Sequence, residues 1–249
     1  MISFSTKPFL VTCFALLFLA SGKSLGDDVD LTLSQRKGEL LYNNPFSKKS
    51  DVSAWIMEGP GELSFDEGWM RMYSPDEKMH HVFWCPEDFP NSFVAEWEAQ
   101  NLNTEAGLVI VFFAAMGLHG EDIFAEQLLK RDGTFDQYTL GQIRSYHISY
   151  YANAVHNKDR GHANLRKNNL FQLVQEGAVG IPTLSKDVHK IVLYKIDARV
   201  VMYIDGRLII DWTDDGKTWG PVWDSGKIGF RQMQWTQFRY RNFKVWAIK

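Results

Sequence analysis

The sequence predicts an all-β protein, a sandwich of two antiparallel sheets. Three observations lead there. Short apolar or alternating runs recur along most of the 249 residues and are separated by turn residues, as in chains built of many short strands. One pair of runs is joined by a strong two-residue turn signal, Asp205-Gly206. Helical periodicity is confined to one stretch, EDIFAEQLLKR, over residues 121–131.

In chain order, LTLSQ, SAWIMEG, ELSFDEGWMRMYS, HHVFWC, SFVAEWEAQN and GLVIVFFAA read as the first strands. YHISYYAN, ANLRKN and LFQLVQEG follow. The run from Lys190 to Trp212 is the clearest: Val192, Tyr194 and Ile196 alternate with Ile191, Leu193 and Lys195. Val200, Met202 and Ile204 then alternate with Val201, Tyr203 and Asp205, so each strand offers one side to a core. Gly226 to Arg231 and a last run ending YRNFKVWAI complete the series. With 45% hydrophobic and 14% aromatic residues, the chain suits one core, and no fixed-period repeat or low-complexity linker divides it.

Residues 1–22 read as a secretory signal: Lys7, an apolar run from Pro8 to Ala20, then the small residues Ala20-Ser21-Gly22. The apolar run is short for a membrane span. The expectation is an exported protein, periplasmic or secreted, with a single domain over residues 23–249 and no stable membrane insertion once the signal is removed. Cys85 is then the only cysteine, which excludes an internal disulfide and a cysteine-based zinc site. The formal net charge of −3 disfavours non-specific nucleic-acid binding, so anion recognition requires a local basic cluster.

Several motifs occur in a telling order: WCPEDFP (84–90), AEWEAQN (95–101), YHISYY (146–151), ANLRKN (163–168), YIDGRLI (203–209) and GKIGFRQM (226–233). Together they resemble the YesU-like family over about residues 35–249. The resemblance implies a concanavalin A-like β-sandwich, or jelly roll, with a concave sugar-binding face. It also implies association with pectin and uronate degradation, and similarity to an oligosaccharide dehydratase acting on the uronic acids of ulvan. Asn169-Leu170-Phe171 stands where the family usually has Pro-Gly, so the resemblance does not set the shape of that loop.

The stretch from Tyr146 to Asn168 holds three histidines, three tyrosines, two arginines and four asparagines. Read as two strands, alternation places His147, Ser149, Tyr151 and Asn153 on one face, and His162, Asn164 and Arg166 on one face of the next. Five groups would then converge: His147, Tyr151, His162, Asn164 and Arg166. The connection carrying His156, Lys158 and Arg160 would arch beside them. Such a set suits β-elimination on a uronic acid, because removing the proton beside a carboxylate piles charge onto an anion. Arg166 and Asn164, with Arg160 and His162 as helpers, would neutralise that carboxylate. Either His147 or Tyr151 would take the C5 proton, with His147 the preferred base because a tyrosine would need a nearby cation, and the other would protonate the leaving oxygen. The expected partner is an anionic oligosaccharide, and no cofactor is implied. A plain solvated strand face is the bland alternative.

Rival readings are a non-catalytic carbohydrate-binding module and a glycoside hydrolase. Glu96 and Glu98 share a strand face, as do the acids of retaining glucanases of this fold. The third acid of that pattern is missing, since position 100 is Gln and position 94 is Val. Trp212, Trp219 and Trp223 could flank a sugar cleft, whereas Trp97 and Trp246 read as core. His80 and His81 are adjacent and face opposite ways on a strand, and Asp211, Asp214 and Asp215 lack a calcium-loop pattern, so no catalytic metal is expected.

Overall fold

The fold was described from a computed structural model, in which residues 1, 33, 35–76, 79–153 and 160–249 are described. The signal read over residues 1–22 lies outside the described residues except for Met1, as do His156 and Lys158. The strands are β1 (Lys37–Asn44), β2 (Ile56–Glu58), β3 (Glu62–Asp66), β4 (Trp69–Tyr73) and β5 (His81–Phe89). They continue as β6 (Phe93–Asn101), β7 (Gly107–Gly117), β8 (Ile143–Asn153), β9 (His162–Asn168) and β10 (Gln172–Val179). The last five are β11 (Val188–Ile196), β12 (Arg199–Ile204), β13 (Arg207–Thr213), β14 (Gly226–Gln232) and β15 (Phe238–Ile248).

They form two sheets, and every registered pair is antiparallel. The eight-stranded sheet runs β13-β12-β11-β6-β15-β4-β3, with β1 also pairing with β15. The seven-stranded sheet runs β10-β9-β8-β7-β14-β5-β2. The Asp205-Gly206 turn forms as expected: both residues take positive φ, +52° and +75°, the backbone twist that suits a tight hairpin between β12 and β13.

Alternating residues of both sheets meet in one apolar layer. Trp97 of β6 packs edge-on against Phe230 of β14, with ring centroids 5.3 Å apart, and its Nε1 donates to the Tyr150 hydroxyl at 3.3 Å. Cys85 lies in this layer, and burial pushes its thiol up to about 12, so it packs rather than reacts. Edge strands β10 and β13, from different sheets, are stitched by Gln175. Its side-chain amide donates to Asp211 O at 3.0 Å and accepts from Asp211 N at 3.2 Å.

The helix expected over residues 121–131 is absent. That segment makes two tight turns, Ala125 N to Asp122 O and Leu128 N to Ala125 O, both at 3.0 Å. Ile123, Phe124 and Leu128 press onto Val82, Trp84, Ile110 and Phe112 on the outer face of the seven-stranded sheet. Packing a flat apolar surface decided the backbone here, overriding a short helical period. One short helix, α1 (Asp136–Thr139), follows and adds buried Tyr138 to the same cluster. The cover is locked by Arg131, which holds buried Glu58 at 2.7 and 3.1 Å, while Trp84 Nε1 donates to that carboxylate at 2.9 Å. Gly229 is required under this cover, because a Cβ there would meet the Trp84 ring at 2.4 Å.

Candidate functional site

Strand register lines up the outer face of the seven-stranded sheet in rows. One row reads Trp84, Gly229, Phe112, His147, Arg166 and Leu173. The next reads Val82, Arg231, Ile110, Ser149, Asn164 and Glu176. The first halves of these rows lie under the cover; the second halves gather the polar residues. His147 and Arg166 are direct cross-strand partners: alternation put both on one face, and the register of β8 and β9 set them opposite each other.

His147 is 2% exposed and sits among three phenyl rings, those of Phe112, Phe171 and Phe135, at 5.2, 5.9 and 6.1 Å between centroids. Its Nδ1 lies 3.0 Å from the side-chain nitrogen of Asn168, which also donates to Ser145 Oγ at 2.9 Å. Trp223 Nε1 in turn holds the Asn168 carbonyl at 2.7 Å. Burial, then the positive charges of Arg166, Arg231 and Arg160, hold the imidazole down at about 3. His147 is therefore neutral at physiological pH, and the charged groups acting on it are all guanidinium.

Arg166 is half-buried. Its Nη1 donates to Phe171 O at 2.9 Å, and its guanidinium lies 3.9 Å from the centre of the Phe171 ring. Leu170 and Phe171 both have positive φ, +78° and +54°, and this uncommon backbone folds the Phe171 ring back over Arg166 and His147. Arg160 Nη2 reaches Ser149 Oγ at 3.4 Å and, with the Asn164 amide turned to satisfy both of its neighbours, Asn164 Oδ1 at 3.2 Å. His162 stands at the rim, its Nε2 3.5 Å from Glu176 Oε2. His147, Arg160, His162, Asn164 and Arg166 therefore share one face.

Tyr151 does not join them. Val109 pairs with Tyr151 while Ile110 pairs with Ser149, so β8 holds one extra residue there. This bulge breaks the alternation and turns Tyr151 into the core between the sheets, where it packs on Phe238 with ring centroids 5.0 Å apart. Its hydroxyl accepts from Asn101 at 2.9 Å and donates to Thr183 O at 3.2 Å, and burial raises its pKa. It cannot protonate a group held by Arg166.

Two residues that the strand reading missed belong to the site. Asn168 lies one alternation beyond Arg166 and was legible by the same parity. Arg231, fully buried, shares parity with Gly229; its Nη2 donates to Gly133 O at 2.9 Å, and it stacks near the rings of Phe135 and Tyr138. Nothing local marks it, because the cover that buries it comes from residues 118–142.

The other candidates lie apart from this group. Glu96 and Glu98 do share a face, but that of the eight-stranded sheet, away from His147. Glu96 pairs with Lys37 and with Lys190 at 3.6 Å, and Glu98 with Arg241 at 2.5 Å. Trp97 is buried in the core, while Trp246 is half-buried beneath Lys37 on the outer face of its sheet. Trp212 packs on Tyr146 and Trp223 anchors Asn168, leaving Trp219, 45% exposed, as the open ring of that loop. Asp211 is paired with Arg199, Asp214 with Lys167, and Asp215 accepts the Lys217 and Thr218 amides. Among the described residues no group of three or more His, Cys, Asp and Glu is placed to hold a metal ion, and no helix is long and apolar enough to cross a membrane.

A family model described as a domain of unknown function, DUF1961, matches residues 39–245. The chain belongs to this family. An uncharacterized protein, YesU of Bacillus subtilis (strain 168), is 40% identical over 214 residues, which are 84% of this chain and 96% of that one. A solved Bacillus subtilis structure of unknown function with a galectin-like fold superposes with a TM-score of 0.82 at 39% identity, covering 86% of this chain and 98% of that one. Carbohydrate-binding module CBM66 from Bacillus subtilis is 12% identical with a TM-score of 0.51 over 78% of this chain and 95% of that one, a likeness of fold. The DUF1961 chain is therefore a lectin-like β-sandwich, as its strand pattern predicted.

The buried histidines make its stability depend on pH. His147 and His81 are each held near 3, against an ordinary value of 6.5, with burial the larger cause in both. His81 has no partner for either ring nitrogen. Depressed folded values mean that the unfolded chain binds more protons between pH 3 and 6.5. Their stabilisation is complete above pH 6.5 and is lost as pH falls toward 3. Each histidine is expected to withdraw about 2 kcal/mol between pH 7 and 5. Urea denaturation at the two pH values should show the combined loss, and His81→Leu should remove roughly half of it. An equal loss in wild type and His81→Leu would show that His81 is not held neutral.

Proposed function

We propose that this protein takes uronate-containing oligosaccharides at the His147–Arg166 face and acts on them by β-elimination, as a lyase or dehydratase. The observation that carries the reading is the convergence of Arg160 and Arg166 on the face that holds His147 and Asn164. Two guanidinium groups on one face favour an anionic ligand. A substrate carboxylate held by Arg166 and Arg160 would cancel part of the positive field and so raise the basicity of His147 on binding. The same guanidinium groups would then stabilise the enolate-like anion formed when the C5 proton leaves.

With Tyr151 in the core, His147 serves as both base and acid. Because His147 is 2% exposed beneath Phe171, substrate binding would have to displace that ring; Nε2 would then take the C5 proton and return it to the oxygen leaving C4 on the same side of the sugar ring. This requires the proton on Nδ1, donated to Asn168 Oδ1. It therefore requires the Asn168 amide turned from the orientation in which its nitrogen faces Nδ1.

A second reading has specific support. The absence of Tyr151 from the site, together with a fold shared with a carbohydrate-binding module, favours a protein that binds anionic saccharides without turning them over. Incubation with uronate oligomers separates the two. Elimination creates a conjugated unsaturated uronate, seen as rising ultraviolet absorbance. Measurable binding with flat absorbance would leave the binding module standing. Release of reducing ends without the chromophore would point to a hydrolase instead.

A further inference from the structure

A second constellation lies where the loop between β10 and β11 meets the β12–β13 turn. Ser185 Oγ is 2.7 Å from His189 Nε2, and His189 Nδ1 is 2.6 Å from Asp205 Oδ2. Serine, imidazole and carboxylate are thus joined in a single file through opposite ring nitrogens. We propose that Ser185, His189 and Asp205 form a nucleophilic triad that cleaves small acyl esters, a site independent of the His147 face.

Each member is placed by the fold. His189 is the second residue of β11 and is 6% exposed. Asp205 sits in the β12–β13 turn at φ +52°, and its second oxygen accepts the Lys190 amide at 2.8 Å, which fixes the carboxylate plane beside the ring. With Nδ1–H donated to Asp205, Nε2 keeps its lone pair and accepts the serine proton. Ser185 is half-buried on a loop whose members Pro182, Leu184, Lys186 and Asp187 are exposed, so a reactant can approach from solvent. The Asp187 amide donates to Oγ at 3.2 Å and favours negative charge on that oxygen.

The step balances without a cofactor. Oγ attacks the ester carbonyl while Nε2 takes its proton; the tetrahedral intermediate collapses, the carbon–oxygen bond to the alcohol breaks, and Nε2 returns the proton to that alcohol. Water then cleaves the acyl-serine by the same route, giving acid and free serine. An acetyl group is the fitting acyl, because a two-carbon group needs no deep pocket, and a surface serine can reach it on a bulky alcohol such as an acetylated sugar. Only this last choice of alcohol rests on the carbohydrate reading above.

The test uses the full mature chain. A fluorophosphonate probe should modify the wild type once, with the adduct mapped by mass spectrometry to the peptide bearing Ser185. Hydrolysis of p-nitrophenyl acetate should fall to the uncatalysed background in Ser185→Ala, and by about a thousandfold in Asp205→Asn. Labelling is read on unaltered protein, so an unstable variant does not obscure the result. A folded wild type that takes up no probe at Ser185, or Ser185→Ala with undiminished hydrolysis, overturns the proposal. Because neither assay involves uronate elimination, the two sites succeed or fail separately.

Discussion

Arg166→Ala is expected to lower the formation of unsaturated uronate by a thousandfold or more, about 4 kcal/mol of transition-state stabilisation. The argument is electrostatic. Loss of the C5 proton turns a carboxylate into a species with a second developing charge, and a guanidinium facing it can make two parallel charge-assisted hydrogen bonds. Arg166 is the group best placed for this, directly across the strand pair from His147. Arg166→Lys should recover only part of the rate, because an ammonium cannot grip both oxygens. The structural cost of either change should be modest, since Arg166 makes one hydrogen bond to the Phe171 carbonyl, worth about 1 kcal/mol. Tyr151→Phe is the matched control. Its hydroxyl bonds Asn101 and Thr183 within the core, so the variant should lose stability but keep its turnover. Turnover lost in Tyr151→Phe but kept in Arg166→Ala would reverse the assignment.

Lys167→Met is expected to destabilise the fold by about 3–5 kcal/mol. Lys167 alternates with Arg166 and so points the other way, into the protein, where it meets Asp214 at 2.6 Å with side chains only 2% and 1% exposed. Tyr146 donates to the same carboxylate oxygen at 2.6 Å and itself accepts the Trp223 amide at 2.9 Å; Lys167 also holds Gly220 O at 2.9 Å. Removing the lysine leaves a buried carboxylate with neutral donors alone, which is why deleting one partner costs more than the pair contributes. The double variant Lys167→Met, Asp214→Asn should recover much of the loss, and urea denaturation of all four proteins gives the coupling directly. Equal and additive losses would mean that the two groups are not coupled. The same knot anchors the loop through Trp223 to Asn168, so Lys167→Met should also loosen the seating of His147 and lower turnover.

The site was half legible from the chain. His147, Asn164 and Arg166 follow from the two-residue period of a regular strand, and Asn168 obeys the same rule one step further on. Tyr151 failed for a physical reason: one inserted residue in β8 reverses every side chain beyond it, and a bulge leaves no mark in a run such as Tyr150-Tyr151. The stretch over residues 121–131 failed differently. Its apolar spacing was real, but its surface is matched to a sheet, and a turn or two of isolated helix carries too little stability of its own to resist that packing.

What the sequence determined by itself is what depends on near neighbours along the chain: strand periodicity, the Asp205-Gly206 turn, the polarity of each strand face and the motifs that mark the family. What the tertiary structure alone decided is which faces meet. It set Glu96 and Glu98 on the sheet opposite His147, brought Arg231 and Phe135 beside it from distant segments, and joined Ser185, His189 and Asp205. Those placements depend on register and on packing between residues far apart in sequence, and no local pattern encodes the distance between them.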